Sequence, residues 1–553
     1  MTPFLFQLLR AWRPLGRRIA SLFKPAEPVP QDHRFAPSDL AQLLRVRGVD
    51  RTADRAGELD DPTWRDLLLE RYLDTLSPEV SIFGRQVLYR RLRAGAGADV
   101  SAQRARVSTL LDDPAQLDAL HGKLACVRAA DIEVATLLFE DEPPLRPGWI
   151  GHLLWLPLLL VASIAAALLV SAWGWVGAGV AMYFLVTTRM RYQDRIGPWR
   201  RSLRALQMLL RACSLLDASG LPLTGPFAGR ADVGGRLSRA LSRSPVAEAA
   251  PDMAEYANWF LAAELRHYFH SAGLVFGQRA FLRECFWLCA ELEADVALAR
   301  HLRARAHEGA AWCWADSAGQ RTLQLMGGVH PLLEDGGARS SALSIALEGK
   351  GAFLSGQNGV GKSTFLRTVG LNLTAARAFG FCYARRATLP ALPVVASMQN
   401  EDSLLGGQSL YIAELARARE LLESASARPV VCLIDEVFRG TNHEEAVSAA
   451  AAVVDALAQD ALVLVSSHNL VLGTLLAHRL DPWRIVRAAG SDGALQVEAG
   501  VLGRTNGVAL LAEHGFDGGI QQQAERVAAW LAGQRRSEDG AGITLAQPAL
   551  PSC

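Results

Sequence analysis

At 553 residues the chain is too long for one hydrophobic core, and ~150 residues per domain divides it into three or four units. A formal net charge of +1, from 57 Lys and Arg against 56 Asp and Glu, excludes a global field, so a polyanion would have to be held by local patches. The eight cysteines stand at 126, 213, 285, 289, 313, 382, 432 and 553 with no C-x-x-C pair, which excludes a zinc-ribbon or dithiol redox motif and fits a reduced, cytosol-facing protein. Cys285 and Cys289 lie one helical turn apart; with no His or Cys set beside them, a buried helix face is favoured over a metal site.

Residues 1–37 form a basic amphipathic segment and a linker. Phe4, Leu5, Phe6, Leu8, Leu9, Trp12 and Ile19 alternate with Arg10, Arg13, Arg17, Arg18 and Lys24. Such a stretch can lie on an anionic membrane face, or serve as a frayed terminal helix or packing arm. The apolar run Phe4–Leu9 is too short for the core of a secretory signal. Four prolines between Pro25 and Pro37 mark the linker. Residues 38–145 are helical, a first part of an all-α core. Leu67 to Leu76 ends at Ser77-Pro78, and Ser81-Ile-Phe-Gly84 opens another helix.

The forty residues 149–188 contain no Asp, Glu, Lys or Arg. One helix of that length would run about 60 Å, twice the ~30 Å hydrocarbon core. A transmembrane hairpin of two helices turning near Ser171–Gly174 fits instead, with Trp149, Trp155, Trp173 and Trp175 near its ends. A buried helical hairpin inside a large fold is the alternative, and Gly174, Gly177 and Gly179 keep it open. Arg189, Arg191, Arg195, Arg200 and Arg201 follow against Asp194 alone. This excess is either a topology signal that puts both flanks on the cytoplasmic side or a phosphate-binding surface. Residues 189–320 resume long helical patterns, a second part of the core and its lever. Residues 321–534 alternate strands and helices in the α/β manner, and 535–553 form a disordered tail.

Within the α/β part, Gly356-Gln-Asn358-Gly359-Val-Gly361-Lys362-Ser363-Thr364 fits the phosphate-loop pattern Gly-x4-Gly-Lys-Ser/Thr. Before it, Ala352–Ser355 is a short buried strand; after it, Phe365, Leu366, Val369 and Leu373 have helical spacing. A strand, a glycine turn and a helix N-terminus aim backbone N–H groups and a positive dipole at an anion. Lys362 is placed to reach the β- and γ-phosphates of ATP, and the Ser363 hydroxyl to ligate Mg²⁺. The apolar strand Val430–Ile434 ends in Asp435 and Glu436. Asp435 is positioned to hold Mg²⁺ and Glu436 to polarise the attacking water. A further strand, Ala461–Val465, runs into Ser466-Ser467-His468. His468, at a parallel strand's carboxyl end, faces the ligand crevice and can bond the γ-phosphate, though a lone His is more often structural.

Between them, Gly406-Gly407-Gln408-Ser409 leads into a helix and makes a second anion cradle. One triphosphate does not need two cradles in one chain, so Ser409 is expected to act in trans, capping the γ-phosphate held by a partner subunit in a homodimer.

Together these motifs resemble the MutS family of DNA mismatch-repair ATPases, relatives of the ABC ATPases. The likeness runs from His330-Pro331-Leu332-Leu333 through Gly356–Thr364, Asp402, Gly407-Gln408-Ser409 with Glu414, and Asp435-Glu436-Val-Phe-Arg439-Gly440-Thr441-Asn442. It ends with Ser467-His468 and Thr505-Asn-Gly507 to Gly515-Phe516. The resemblance implies an α/β P-loop ATPase domain of ABC/MutS type at the C-terminus, preceded by an all-α core and lever region that a transmembrane helical hairpin interrupts. Gln357, Gly359 and Val360 depart toward the ABC form, and no Phe-x-Glu wedge occurs in the first 150 residues. The implied function is ATP hydrolysis with Mg²⁺ at composite dimer sites, opening and closing helical arms on mismatched, branched or damaged DNA. The protein would be tethered at the cytoplasmic membrane through residues 149–188, its ATPase domain facing the cytoplasm. The alternatives are an ABC-like transport or remodelling ATPase and an ATP-regulated membrane scaffold without DNA binding.

Overall fold

The structure, a computed structural model, describes residues 35–45, 57–97, 100–152, 155–242, 263–334, 342–398, 410–487, 495–502 and 506–538. The amphipathic segment 1–24, Asp402, the turn Gly406–Ser409, Thr505 and the tail from 539 lie outside these residues. The chain forms two units, one of residues 1–47, 77–89 and 106–300 and the other of 48–76, 90–105 and 301–553.

Among its described residues the first unit is helical throughout. Its helices start where the sequence supplies caps. The Asp113 side chain accepts from the Gln116 backbone N–H at 3.0 Å, and Pro114, which has no N–H to satisfy, opens the helix Pro114–Leu124. On Arg279–His307 the buried positions Leu282, Cys285, Phe286, Cys289 and Glu293 recur at helical spacing. Cys213 comes from another helix to within 3.4 Å of Cys289, sulfur to sulfur. Cys285 and Cys289 thus sit on a buried helix face as free thiols, and no cluster able to hold a metal ion occurs among the described residues. Glu293 is a buried carboxylate whose pKa is raised by desolvation; it accepts from the Ser81 N–H at 2.9 Å and from the Ser81 hydroxyl, fixing the start of the helix Ile82–Ala94.

Residues 149–188 form a hairpin, but the expected transmembrane character is corrected. Among the described residues no helix is long and apolar enough to cross a membrane. The first arm, Trp155–Leu169, has 15 residues and so spans about 22 Å, short of a ~30 Å hydrocarbon core. The second arm starts at Gly174 and meets Arg189 after fifteen uncharged residues, while the helix itself runs unbroken to Asp217. The boundary read at 188 therefore falls inside a continuous helix. The alternative of a buried hairpin is not what is seen either. A seam of Leu160, Ala178, Ala181 and Leu185 is enclosed between the arms and Pro157 is buried, while Leu158, Val161, Leu169 and Phe184 are exposed.

The second unit is built on a six-stranded sheet. Its spatial order is Leu495–Ala499, Leu480–Arg487, Gly351–Gly356, Leu462–Ser466, Val431–Asp435 and Val394–Ser397, all parallel except the first. The central strands read as unbroken apolar runs because both faces are covered: Gly351–Gly356, Val431–Ile434 and Leu462–Ser466 are buried throughout. Gly351 has no room for a side chain, since a Cβ there would lie 2.1 Å from the Val463 carbonyl oxygen. The helices Lys362–Phe379, Leu410–Ala427 and His443–Asp460 pack on the sheet, the last two around Ala418, Leu421, Val454 and Leu457. A second sheet of Asp316–Ala318, Arg386–Pro390, Thr322–Gly328 and Leu343–Glu348 is mostly antiparallel.

The outer strand Val394–Ser397 is not left as a bare edge. The short helix Asp61–Asp66 covers it: the Ala396 N–H donates to the Thr63 hydroxyl and the Met398 N–H to the Asp66 carboxylate, each at 2.8 Å. Buried Arg417 pairs with Asp60 at 2.7 Å and donates to the Ala396 carbonyl, closing the same seam. A segment read as part of the all-α core thereby belongs to the sheet unit.

Candidate functional site

The parallel strands deliver their carboxyl ends to one rim. Ser466 stands in register with Asp435 on one side and Leu354 on the other, so the ends of three neighbouring strands meet there. From the strand Gly351–Gly356 the chain makes the glycine turn. Gly359 has φ +72° and Gly361 φ +111°, conformations open to glycine and strained for any side chain. Gly361 is the residue from which the helix Lys362–Phe379 begins, and the turn starts at Gly356, where the strand ends. The strand, turn and helix expected around Gly356–Thr364 are all present.

Five functional side chains expected from the sequence converge here. Lys362 folds back over the turn, its Nζ 3.3 Å from the Gly356 carbonyl oxygen and 3.4 Å from that of Gln357. Burial holds its ammonium below the usual lysine pKa, opposed by the Glu436 and Asp435 carboxylates. Ser363 donates its hydroxyl to Asp435, and Ser466 donates to the other oxygen of the same carboxylate. Glu436 follows at φ +60°, its N–H bonded to the Ser466 carbonyl at 3.0 Å. Its carboxylate pairs with His468 Nε2 and lies 3.4 Å from the Arg439 guanidinium. The hydrogen bond from His468, with the nearby Arg439 and Lys362 charges, holds Glu436 below the ordinary glutamate pKa against the effect of burial. Lys362 Nζ is also 3.4 Å from His468 Nε2. His468 is thus a partner of Glu436 and a neighbour of Lys362. Thr364 continues the helix, and the Asn358 N–H is bonded to the Asn506 side-chain oxygen at 2.8 Å. Ser409 lies outside the described residues.

Three residues quoted with the motifs make contacts that the sequence reading did not assign. Ser466 is a polar residue ending an apolar strand, but its contact with Asp435 depends on which strands are neighbours. Asn506 caps the turn from about 150 residues away in sequence. Buried Glu414 accepts from the backbone N–H groups of Arg439, at 2.9 Å, and of Gly440, at 3.1 Å, tying the turn behind Glu436 to the helix Leu410–Ala427. The signal for this last contact was present as the joint occurrence of Glu414 and Arg439-Gly440-Thr441.

Chemically, the turn and Lys362 offer N–H and ammonium donors to an anion, beside a hydroxyl and a carboxylate. Ser363 and Asp435 form a hard two-oxygen donor set. That is the number Mg²⁺ commonly takes from protein when phosphates and water supply the remaining ligands, so the residues present fit the ion. The fold and rim together define a class: a doubly wound α/β domain with an anion-accepting glycine turn and paired carboxylates at the strands' carboxyl ends.

Residues 352–502 match the family model described as MutS domain V. Over these residues the chain is similar to the MutS family. It is 32% identical over 217 residues to the DNA mismatch repair protein MutS of Erythrobacter litoralis, covering 38% of this chain and 24% of the relative. It is 28% identical over 266 residues to the MutS of Thermus thermophilus, covering 46% and 31%. With the MutS of Thermus aquaticus the figures are 29% over 271 residues, 47% and 31%. The chain thus spans between a quarter and a third of the length of these relatives.

Proposed function

We propose that this protein is a Mg²⁺-dependent ATPase of MutS type that works as a homodimer on DNA, with helical arms that its nucleotide state opens and closes. The observation that carries this reading is the meeting of Lys362, Ser363, Asp435, Glu436 and His468 at one sheet rim around a glycine turn. In the reaction, the N–H groups of Asn358 to Thr364 and the Lys362 ammonium grip the phosphates of ATP. Mg²⁺, held by Ser363 and Asp435, supplies charge neutralisation at the phosphate oxygens when bound. Glu436, kept ionised by His468, orients the attacking water and accepts its proton. Ser409 of a second copy closes the site over the γ-phosphate, and DNA is held through phosphate contacts. The protein is tethered at the cytoplasmic face of the inner membrane through residues 149–188.

Lys362→Ala is expected to abolish ATP binding, whereas Glu436→Gln keeps binding and stops turnover; equal loss of binding in both would end the assignment of roles. Specific turnover should fall on dilution as dimers dissociate. DNA affinity, measured with and without ATP across a salt series, should weaken steeply with salt, in proportion to the phosphates neutralised. An absence of ATP-dependent affinity at low salt would remove DNA from the reading and leave the ATPase.

A further inference from the structure

The largest feature that the ATPase chemistry leaves unused is the outer surface of the hairpin. Leu168, Leu169, Val170 and Trp173 are 70%, 84%, 84% and 80% exposed around its tip. The exposure is not confined to one side. Successive helical positions turn by 100°, so Leu158, Leu159 and Val161 on the first arm look out in three directions, as do Val176, Met182 and Phe184 on the second. A protein partner docks on one face of a helix pair and would leave the opposite face in water. A covering that reaches every outward direction at once is a fluid apolar medium. Acyl chains have that property.

The base of the hairpin specifies which membrane. Immediately past the apolar arm, Arg191, Arg195, Arg200 and Arg201 are exposed along the continuing helix, and Asp194 is the single acid among residues 189–201. Four cations beside an apolar insert complement lipid phosphates and acidic headgroups. The dimensions specify how deep it goes. Each arm is about 22 Å long and about 10–12 Å across. The pair is therefore too short for a ~30 Å core but thin enough for one leaflet of about 15 Å. Trp155 at the base and Trp173 and Trp175 at the tip are more than half exposed. Indoles favour the headgroup boundary, and a hairpin lying flat in one leaflet brings both ends to the same boundary.

We infer that the hairpin 155–188 embeds in a single leaflet of an anionic bilayer without crossing it, with Arg191, Arg195, Arg200 and Arg201 against the lipid phosphates. The inference rests on the tethering part of the proposed function and on none of its ATPase chemistry.

Full-length protein is added to preformed vesicles of phosphatidylcholine alone or with one-fifth phosphatidylglycerol, and flotation is measured. It should float with the anionic vesicles, and Leu169→Glu with Val176→Glu should lower partitioning about tenfold or more, because carboxylates are expelled from hydrocarbon. Both positions are exposed, so an unchanged circular dichroism spectrum shows that folding survives. Replacing the four arginines with glutamine should remove the preference for anionic lipid. Ser171→Cys then reads the depth: a membrane-impermeant thiol reagent trapped inside the vesicles should leave this cysteine unmodified. Luminal modification would mean that the hairpin crosses, which overturns the single-leaflet geometry while the tether stands. Failure to float with either vesicle would overturn the tether itself. An oligomer in detergent-free buffer that the two glutamates dissociate would identify a second copy as the occupant and overturn the lipid assignment.

Discussion

At the residue scale, the catalytic role proposed for Glu436 depends on a group that does not touch it. The turn after Glu436 contains two residues with positive φ, Glu436 at +60° and Phe438 at +55°, so it is not a conformation that the backbone keeps unaided. Glu414 holds it through the N–H groups of Arg439 and Gly440. Glu414 is a positioning residue, and Glu414→Ala should lower kcat about tenfold or more with ATP affinity little changed. Glu414→Gln keeps one acceptor oxygen and should restore part of that loss. A parallel fall in ATP affinity for both variants would show general unfolding of the domain instead. Much of the rim was legible residue by residue, because glycine turn, lysine and serine are consecutive in sequence and the paired acids 435 and 436 end an apolar run. The bonds of Ser466 to Asp435 and of Asn506 to Asn358 were not, since each joins segments that only the sheet order brings together.

At the scale of elements, the apolar runs 352–355, 430–434 and 461–465 were readable as strands because a strand buried on both faces shows little else. The covering of the outer strand was not readable, since its partner Asp61–Asp66 is some 330 residues away and looks like an ordinary helix start. Thr63→Val removes the acceptor of the Ala396 N–H while keeping the shape of the side chain. Leaving that buried donor unpaired should cost about 1–3 kcal/mol, read as a lower midpoint in urea with an unchanged slope. The hairpin was misread for a related reason: forty uncharged residues describe a composition, whereas span is fixed by where helices end. The break after Leu169 and the arrival of Arg189 set those ends.

For the molecule as a whole, acid stability follows from buried histidines. Burial pushes the His301 pKa down to about 3 and that of His330 to about 4, from an ordinary value near 6.5. The unfolded chain therefore binds protons that the folded chain refuses once pH drops below about 6.5. Their contribution is fully present above that value and is lost as pH falls toward about 4 and then 3. Each such histidine adds a slope of up to about 1.4 kcal/mol per pH unit. Urea midpoints should fall steadily between pH 7 and pH 4.5, and His301→Gln should make that fall shallower. An unaltered slope would mean that His301 takes up a proton without unfolding.

The helix Gly174–Asp217 gives the molecule a mechanical property. Its 44 residues make a rod about 66 Å long. One end carries the second arm of the hairpin, and the other is clamped by Leu206, Leu209, Leu210 and Cys213 in the helical core. A tilt of the hairpin would therefore load the clamped end, and Pro198, inside the helix, is the point along the shaft where it can flex. With the hairpin embedded as inferred above, bilayer tension and the posture of the helical core would be coupled through this shaft, with no messenger between them.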